Sequence, residues 1–459
     1  MLRRRHLLAV LALLALPAGG LMGQVAPPAY TPLVWDENWS YLSDSSLALD
    51  WSDQWQHVSL GANRYISIGG QIRERGEYVD YPAWGAQPSH NGYFLQRYLL
   101  DTDWRLSREF WLFLQCGSSL ENGRRGGPRP GIDQDALYFN QIFFDYSPSE
   151  GMTVRIGRQL ISLGSTRLFA IGYGLNIEQP FDGARVMLHP AGWKIDLLAA
   201  RPTQILDGYF QNGPNSQIST WGVYVTHTVA AAQKINLDLY YIGFDRKSWH
   251  YAAGAGRERR ESFGARLWRD APVWSWDLEV TPQTGRFGSG SIRAWAAGYH
   301  LVWRFAHARW TPVIEMGGGI TSGDHNLHDS TLGTFNPLFP NGSYLSESLL
   351  IGPYNLDIVR PKLQMNLTRK LSFAPNLELL WRESRQDGIY NIAGVLTHPG
   401  TVSGRRYVGS QIQAGLNYSF SRHLLGSVVY EHFFPGAFLK QTPPNQGMNF
   451  VAPTLTYTF

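Results

Sequence analysis

The chain has 459 residues, 44% hydrophobic and 17% charged, with 48 glycines, 17 Trp, 23 Tyr and 22 Phe. That composition excludes a disordered chain and disfavours a helical bundle, and the lone Cys116 excludes an intrachain disulfide framework or a cysteine metal site. The formal charge of +4 includes Arg3, Arg4 and Arg5 at the start; without them 37 basic residues face 36 acidic ones, so the basic pI is no sign of nucleic-acid binding.

Residues 1–23 read as a cleaved signal peptide, with three arginines, an apolar run from Leu7 to Leu16, small residues at Ala18, Gly19 and Gly20, and a cut after Gly23. The run is shorter than the roughly 20 residues a membrane helix needs. Residues 24–63 carry Trp35, Trp39, Trp51 and Trp55 among acidic residues without alternation, which predicts a lead-in that is periplasmic or tucked into a lumen. From 64 to 459 the period becomes two. Ile66, Ile68, Gly70 and Ile72 oppose Ser67, Gly69, Gln71, Arg73 and Arg75; Trp193, Ile195 and Leu197 oppose Lys194 and Asp196; Ile235, Leu237 and Leu239 oppose Asn236 and Asp238; Phe263, Ala265 and Leu267 oppose Arg266. Val359, Pro361, Leu363, Met365 and Leu367 alternate with Arg360, Lys362, Gln364, Asn366 and Thr368, and Ile412 to Phe420 repeat the pattern. Between strands, 121–133 and 322–344 are polar connectors rich in Gly and Pro, suited to the surface or to folding into a lumen.

Such two-faced strands fit a soluble sandwich or a membrane barrel. Three features favour the barrel. The polar faces carry Gly, Ser, Asn, Gln and charges of both signs, a lining for water. Aromatics mark strand ends at Trp104, Trp111, Trp274, Trp276, Trp303, Trp310 and Trp381, as in interfacial girdles. The last strand, with Val451, Pro453, Leu455, Tyr457 and Phe459 on one side, looks like the signal read by barrel-assembly machinery. The fold class expected is all-β: a transmembrane antiparallel up-and-down β-barrel in the bacterial outer membrane. Allowing about 20–24 residues per strand and connector gives between about 16 and 20 strands, an even number.

Motifs along the chain resemble the alginate-export-type outer-membrane porins: Glu37-Asn38-Trp39-Ser40-Tyr41-Leu42, Gln96-Arg97-Tyr98-Leu99-Leu100, Glu121-Asn122-Gly123-Arg124 running to Gly127-Pro128-Arg129-Pro130, Arg155-Ile156-Gly157-Arg158-Gln159, Phe181-Asp182-Gly183-Ala184-Arg185, Ser322-Gly323-Asp324, Phe335-Asn336-Pro337-Leu338-Phe339-Pro340, Trp381-Arg382, Arg406-Tyr407-Val408-Gly409 and Phe433-Phe434-Pro435-Gly436. The resemblance implies a barrel of about 18 strands with an Arg-rich lumen. The founding member of that family passes a polyuronate outward by diffusion.

An anion channel needs fixed positive charge at a constriction, where low-dielectric walls make each charge count. Strand parity nominates Arg73, Arg75, Arg97, Arg155, Arg266, Arg360, Lys362 and Arg382 for the solute path, and Arg185 by its alternation with Val186 and Leu188. Arg158 joins them from its motif, although Val154 and Ile156 outward would turn it outward as well, so a bulge or a position at the membrane edge is required. Asp101, Asp103, Asp238, Glu378 and Glu431 are the acidic partners that keep such sites weak enough to release their cargo.

Asp324, His325, His328 and Asp329 could hold a metal, but scattered His and Asp in a polar loop are far commoner without one, and neither metal nor cofactor is assigned. No nucleophile elbow, zinc His-Glu-x-x-His or Walker loop occurs, so no enzyme is expected. The leading reading is a passive channel for anionic solutes, including an acidic polysaccharide of the uronate type, with outer-membrane lipid as its other partner. The alternatives are a general or uptake porin for small carboxylates and phosphates, and an enzyme or adhesin on a barrel anchor.

Overall fold

The computed structural model describes all residues except 1–29, 38, 45, 47, 49, 62–63, 88 and 343–344. The expected signal peptide therefore lies outside the described residues. One antiparallel sheet closes on itself as 18 barrel strands. In chain order these are β1 Arg64–Asp80, β2 His90–Arg105, β3 Phe110–Asn122, β4 Asp135–Ser149, β5 Met152–Leu160, β6 Pro180–Leu188, β7 Trp193–Gln204, β8 Ile218–Ala230 and β9 Ile235–Tyr251. They continue as β10 Gly254–Arg269, β11 Trp274–Phe287, β12 Gly290–Arg304, β13 Val313–Thr321, β14 Leu356–Asn366, β15 Leu371–Trp381, β16 Tyr407–Ser419, β17 Leu424–Pro435 and β18 Met448–Thr458. Each pairs with its chain neighbours, and β18 pairs with β1 through Ile72↔Tyr457 and Arg75↔Thr454. Past β18, Phe459 and Gly70 exchange backbone hydrogen bonds of 2.9 and 3.0 Å. Closure leaves no unpaired edge, a requirement wherever backbone groups face hydrocarbon.

Exposure is inverted relative to a water-soluble protein. Phe94, Leu100, Ile156, Leu278 and Val280 are exposed on the outer face, while Arg97, Glu258, Arg260 and Glu431 are wholly buried on the inner one. A soluble monomer does not present so large an apolar surface. Alternation sets this directly: on β2, Asn91, Tyr93, Arg97, Asp101 and Asp103 turn inward and Phe94, Leu100 and Trp104 outward. Trp104, Trp274, Trp276 and Trp303 stand on the outer face, as expected of a girdle. Trp111 does not. It lies one position off that parity and packs inward on Phe113 and Phe143, at 6.5 and 5.4 Å between ring centroids.

The two ends differ. At one, the connectors are tight turns, none longer than 305–312; at the other, 161–179, 322–355 and 382–406 are long. The long connectors fold inward. Phe169, Phe335 and Tyr390 from them join Phe181, Tyr251 and Ile292 of the wall in one buried cluster. At the short-turn end, described residues N-terminal to β1 enter the barrel: Trp35 meets Phe113 and Phe143 at 5.9 and 5.5 Å, and Arg422 of the β16–β17 turn binds Asp53 at 2.6 Å.

Candidate functional site

The inward cations fall into two populations. The first is buried and anchors folded-in segments. Arg73 and Arg97 are cross-strand partners, and both donate to the carbonyls of Tyr173 and Leu175, Arg73 at 3.0 and 2.5 Å and Arg97 at 3.2 Å to each. Two like charges tolerate that closeness because carbonyl dipoles and Glu178, 3.3 Å from Arg97, surround them. Arg75 binds Glu77 at 2.7 Å and Glu347 of the 322–355 connector at 3.3 Å. Glu431 holds the same connector by accepting the backbone N–H groups of Glu347 and Ser348 at 2.7 and 3.1 Å. Arg155 forms a bidentate pair with Asp145 at 2.8 and 2.9 Å and lies 3.8 Å from the Phe143 ring centroid.

The second population keeps contact with solvent. Arg185 pairs with Asp196 at 2.7 Å through Nε, and its side chain stays 13% exposed. Arg266 bridges Asp238, at 2.8 Å, and Asp277. Arg167 reaches Asp277 and Glu279 at 2.9 and 2.6 Å, and its guanidinium lies over Gly298, where a Cβ would come within 2.7 Å of Nε and oblige the arginine to shift. Glu315 is shared by Lys362 at 3.0 Å and His300 at 3.1 Å, with Lys362 30% and His300 35% exposed. Arg360 stands 3.9 Å from Glu378. Together these groups make a solvent-contacting band of alternating charge on the inner face between β6 and β15.

Several predicted residues therefore have other surroundings. Arg382, expected in the solute path, is fully buried just beyond β15. Its guanidinium donates to the carbonyls of Arg385, Asp387, Gly400, Ser403 and Arg405 at 2.6 to 3.2 Å, binding the 382–406 connector to itself. Arg158 is on the outer face: it is in register with the outward Ile142 and pairs with Asp182 at 2.8 Å beneath the Asn212 carbonyl. Parity alone places it; no bulge intervenes. Asp103 pairs with Arg105 at 2.9 Å, and Asp101 lines a polar cavity with Glu37, Gln115, Tyr173 and Glu178. Asp324 braces its own loop through the backbone N–H groups of Asn326 and Gly333, at 2.9 and 3.2 Å. Arg167 escaped prediction because it sits on a connector, where no period points a side chain. Arg260 and Glu258, 2.7 Å apart and fully buried, could have been found by extending the β10 parity from Arg266.

A family model described as alginate export matches residues 64–452. No curated protein matches the sequence. Among solved structures, OccK2 (OpdF) of Pseudomonas aeruginosa in complex with glucuronate is similar at a TM-score of 0.57 and 12% identity, covering 86% of this chain and 98% of that one. A BenF-like porin from Pseudomonas fluorescens Pf-5 gives 0.59 and 10%, over 86% and 98%. At such identities the likeness concerns the fold.

Proposed function

The chain belongs to the alginate export family and is an outer-membrane barrel with a channel role, and from that premise we propose that it conducts anionic solutes by diffusion, an acidic uronate-type polysaccharide among them. Short turns face the periplasm in such barrels and long connectors the exterior. The observation that carries the reading is the solvent-accessible band: Arg167, Arg185, Arg266, Arg360 and Lys362 each lie beside a carboxylate. A carboxylate solute can exchange with the resident one at each step, so the cations attract without trapping. Arginine suits this role because its fork accepts a carboxylate two atoms at a time.

A second reading, an uptake porin for small carboxylates, draws on the three long connectors that fold into the lumen and on the glucuronate held by the structurally similar OccK2. Reversal potentials in planar bilayers test both. The triple variant Arg185→Gln, Arg266→Gln, Lys362→Gln is expected to lose most of the anion preference, and unchanged selectivity would sink the assignment. Block by an oligouronate at concentrations where the monomer has no effect favours the polymer; equal effects favour the small solute.

A further inference from the structure

On the outer face of β9 to β12, at the end carrying the long connectors, Lys247, Arg257, Arg259, Arg286 and Arg293 are all exposed. These strands are joined by the tightest turns of that end, 252–253 and 288–289, and although the 322–355 connector pairs with the end of β12 through Ser291↔Thr331, the five cations stay exposed. The outward carboxylates on β9 to β12 at this end are Asp245 and Glu261. Asp245 is held by Arg257 at 2.8 and 2.6 Å, and Glu261 accepts the Tyr241 hydroxyl. Arg259 lies 3.9 Å from Asp245 and remains 60% exposed. Among the described residues, Arg286 and Arg293 make no ion pair. Arg259 and Arg286 are direct cross-strand partners, an arrangement of like charges that opposes strand pairing unless an anion sits between them.

Height decides what anion that is. Arg293 stands two residues beyond Trp295 on the same face, about 7 Å along the strand. Phe263, Val280 and Leu278 continue the apolar band below, so the arginines begin where hydrocarbon ends and headgroups start. We propose that this patch binds the phosphate groups of the phosphorylated glycolipid that makes up the outer leaflet, with Arg259, Arg286 and Arg293 as the phosphate ligands. The site lies outside the lumen and takes no part in conduction.

The test uses the full-length refolded protein in detergent, titrated with bisphosphorylated lipid A, with the same glycolipid after enzymatic dephosphorylation, and with inorganic phosphate. Bound lipid is read by native mass spectrometry and the accompanying shift in thermal unfolding. The phosphorylated form is expected to bind at least about tenfold more tightly than the dephosphorylated one. The variant Arg259→Gln, Arg286→Gln, Arg293→Gln is expected to erase that difference while retaining wild-type conductance. Equal binding of the two glycolipids to the wild-type protein overturns the proposal without recourse to any variant. So does a folded triple variant that still discriminates between them, or inorganic phosphate that reproduces the thermal shift.

Discussion

A guanidinium with five carbonyl acceptors is a knot in the backbone, and Arg382 is that knot for the 382–406 connector. Cutting it to alanine removes the shared donor of those carbonyls, leaving only the Gly400 carbonyl with another, the Ser403 N–H, among the described residues, and is expected to cost about 3 to 5 kcal/mol of local stability. Limited proteolysis within 382–406 should then proceed on a barrel whose anion selectivity is unchanged; altered selectivity with an intact connector would return Arg382 to the solute path. Glu37 works differently. Burial pushes its carboxyl up to about 7, against the Thr31 N–H that donates to it at 2.6 Å and lowers it. The docked segment thus holds this proton more tightly than a solvated glutamate at its ordinary 4.5 does, so ionisation opposes docking. Docking is strongest below that ordinary value and weakens as pH rises from there through about 7. Conductance should climb over the same interval, and Glu37→Gln should flatten the climb.

The segment that carries Glu37 is the element nearest the periplasmic mouth, and it is held at few points. Arg422 binds Asp53 at 2.6 Å and Asp50 at 3.3 Å, His423 sits 2.7 Å from Asp50, and Ser67 donates to the Gln56 carbonyl at 2.6 Å. Arg422→Gln removes a side chain that grips both aspartates and is expected to raise single-channel conductance and its fluctuations, measured against wild type at equal voltage; identical traces would show that the segment leaves the current path free. Elements of this kind separate what sequence reveals from what it hides. Alternation made β1, β14 and β16 legible, and with them the inward direction of Arg73 and Lys362, because a strand's period is a local property. It could not say that Arg73 would be covered by the carbonyls of Tyr173 and Leu175, since that contact joins residues about a hundred positions apart through an aperiodic connector. The same limit explains Arg382. Arg158 and Trp111 are the reverse case: strict parity was sufficient, and a motif or a strand-end position outweighed it.

At the scale of the whole molecule, everything depends on which face of the sheet meets lipid. The barrel has two coats, an outer one of Leu, Ile, Val and aromatic side chains and an inner one of paired charges, and neighbouring residues on one strand belong to opposite coats. Ile412 and Gln413 near the middle of β16 make a clean pair. Ile412 is 41% exposed on the outer side, in register with Leu377 and His432; Gln413 points inward, in register with Asn376 and Glu431. An arginine at the bilayer midplane costs about 2 to 4 kcal/mol, whereas one in a wet lumen can be hydrated and can face a carboxylate. Ile412→Arg should therefore lower the unfolding free energy of the barrel in lipid vesicles, read by denaturant titration, by that amount. Gln413→Arg should stay within about 0.5 kcal/mol of wild type and strengthen anion preference. A soluble sandwich predicts the same order of stability, because there the apolar face is the dry core, so the two folds are told apart by the gain in anion preference of Gln413→Arg, which only a face lining a bore can give. Equal penalties at the two positions would mean that neither face is wet, and the channel would have no bore.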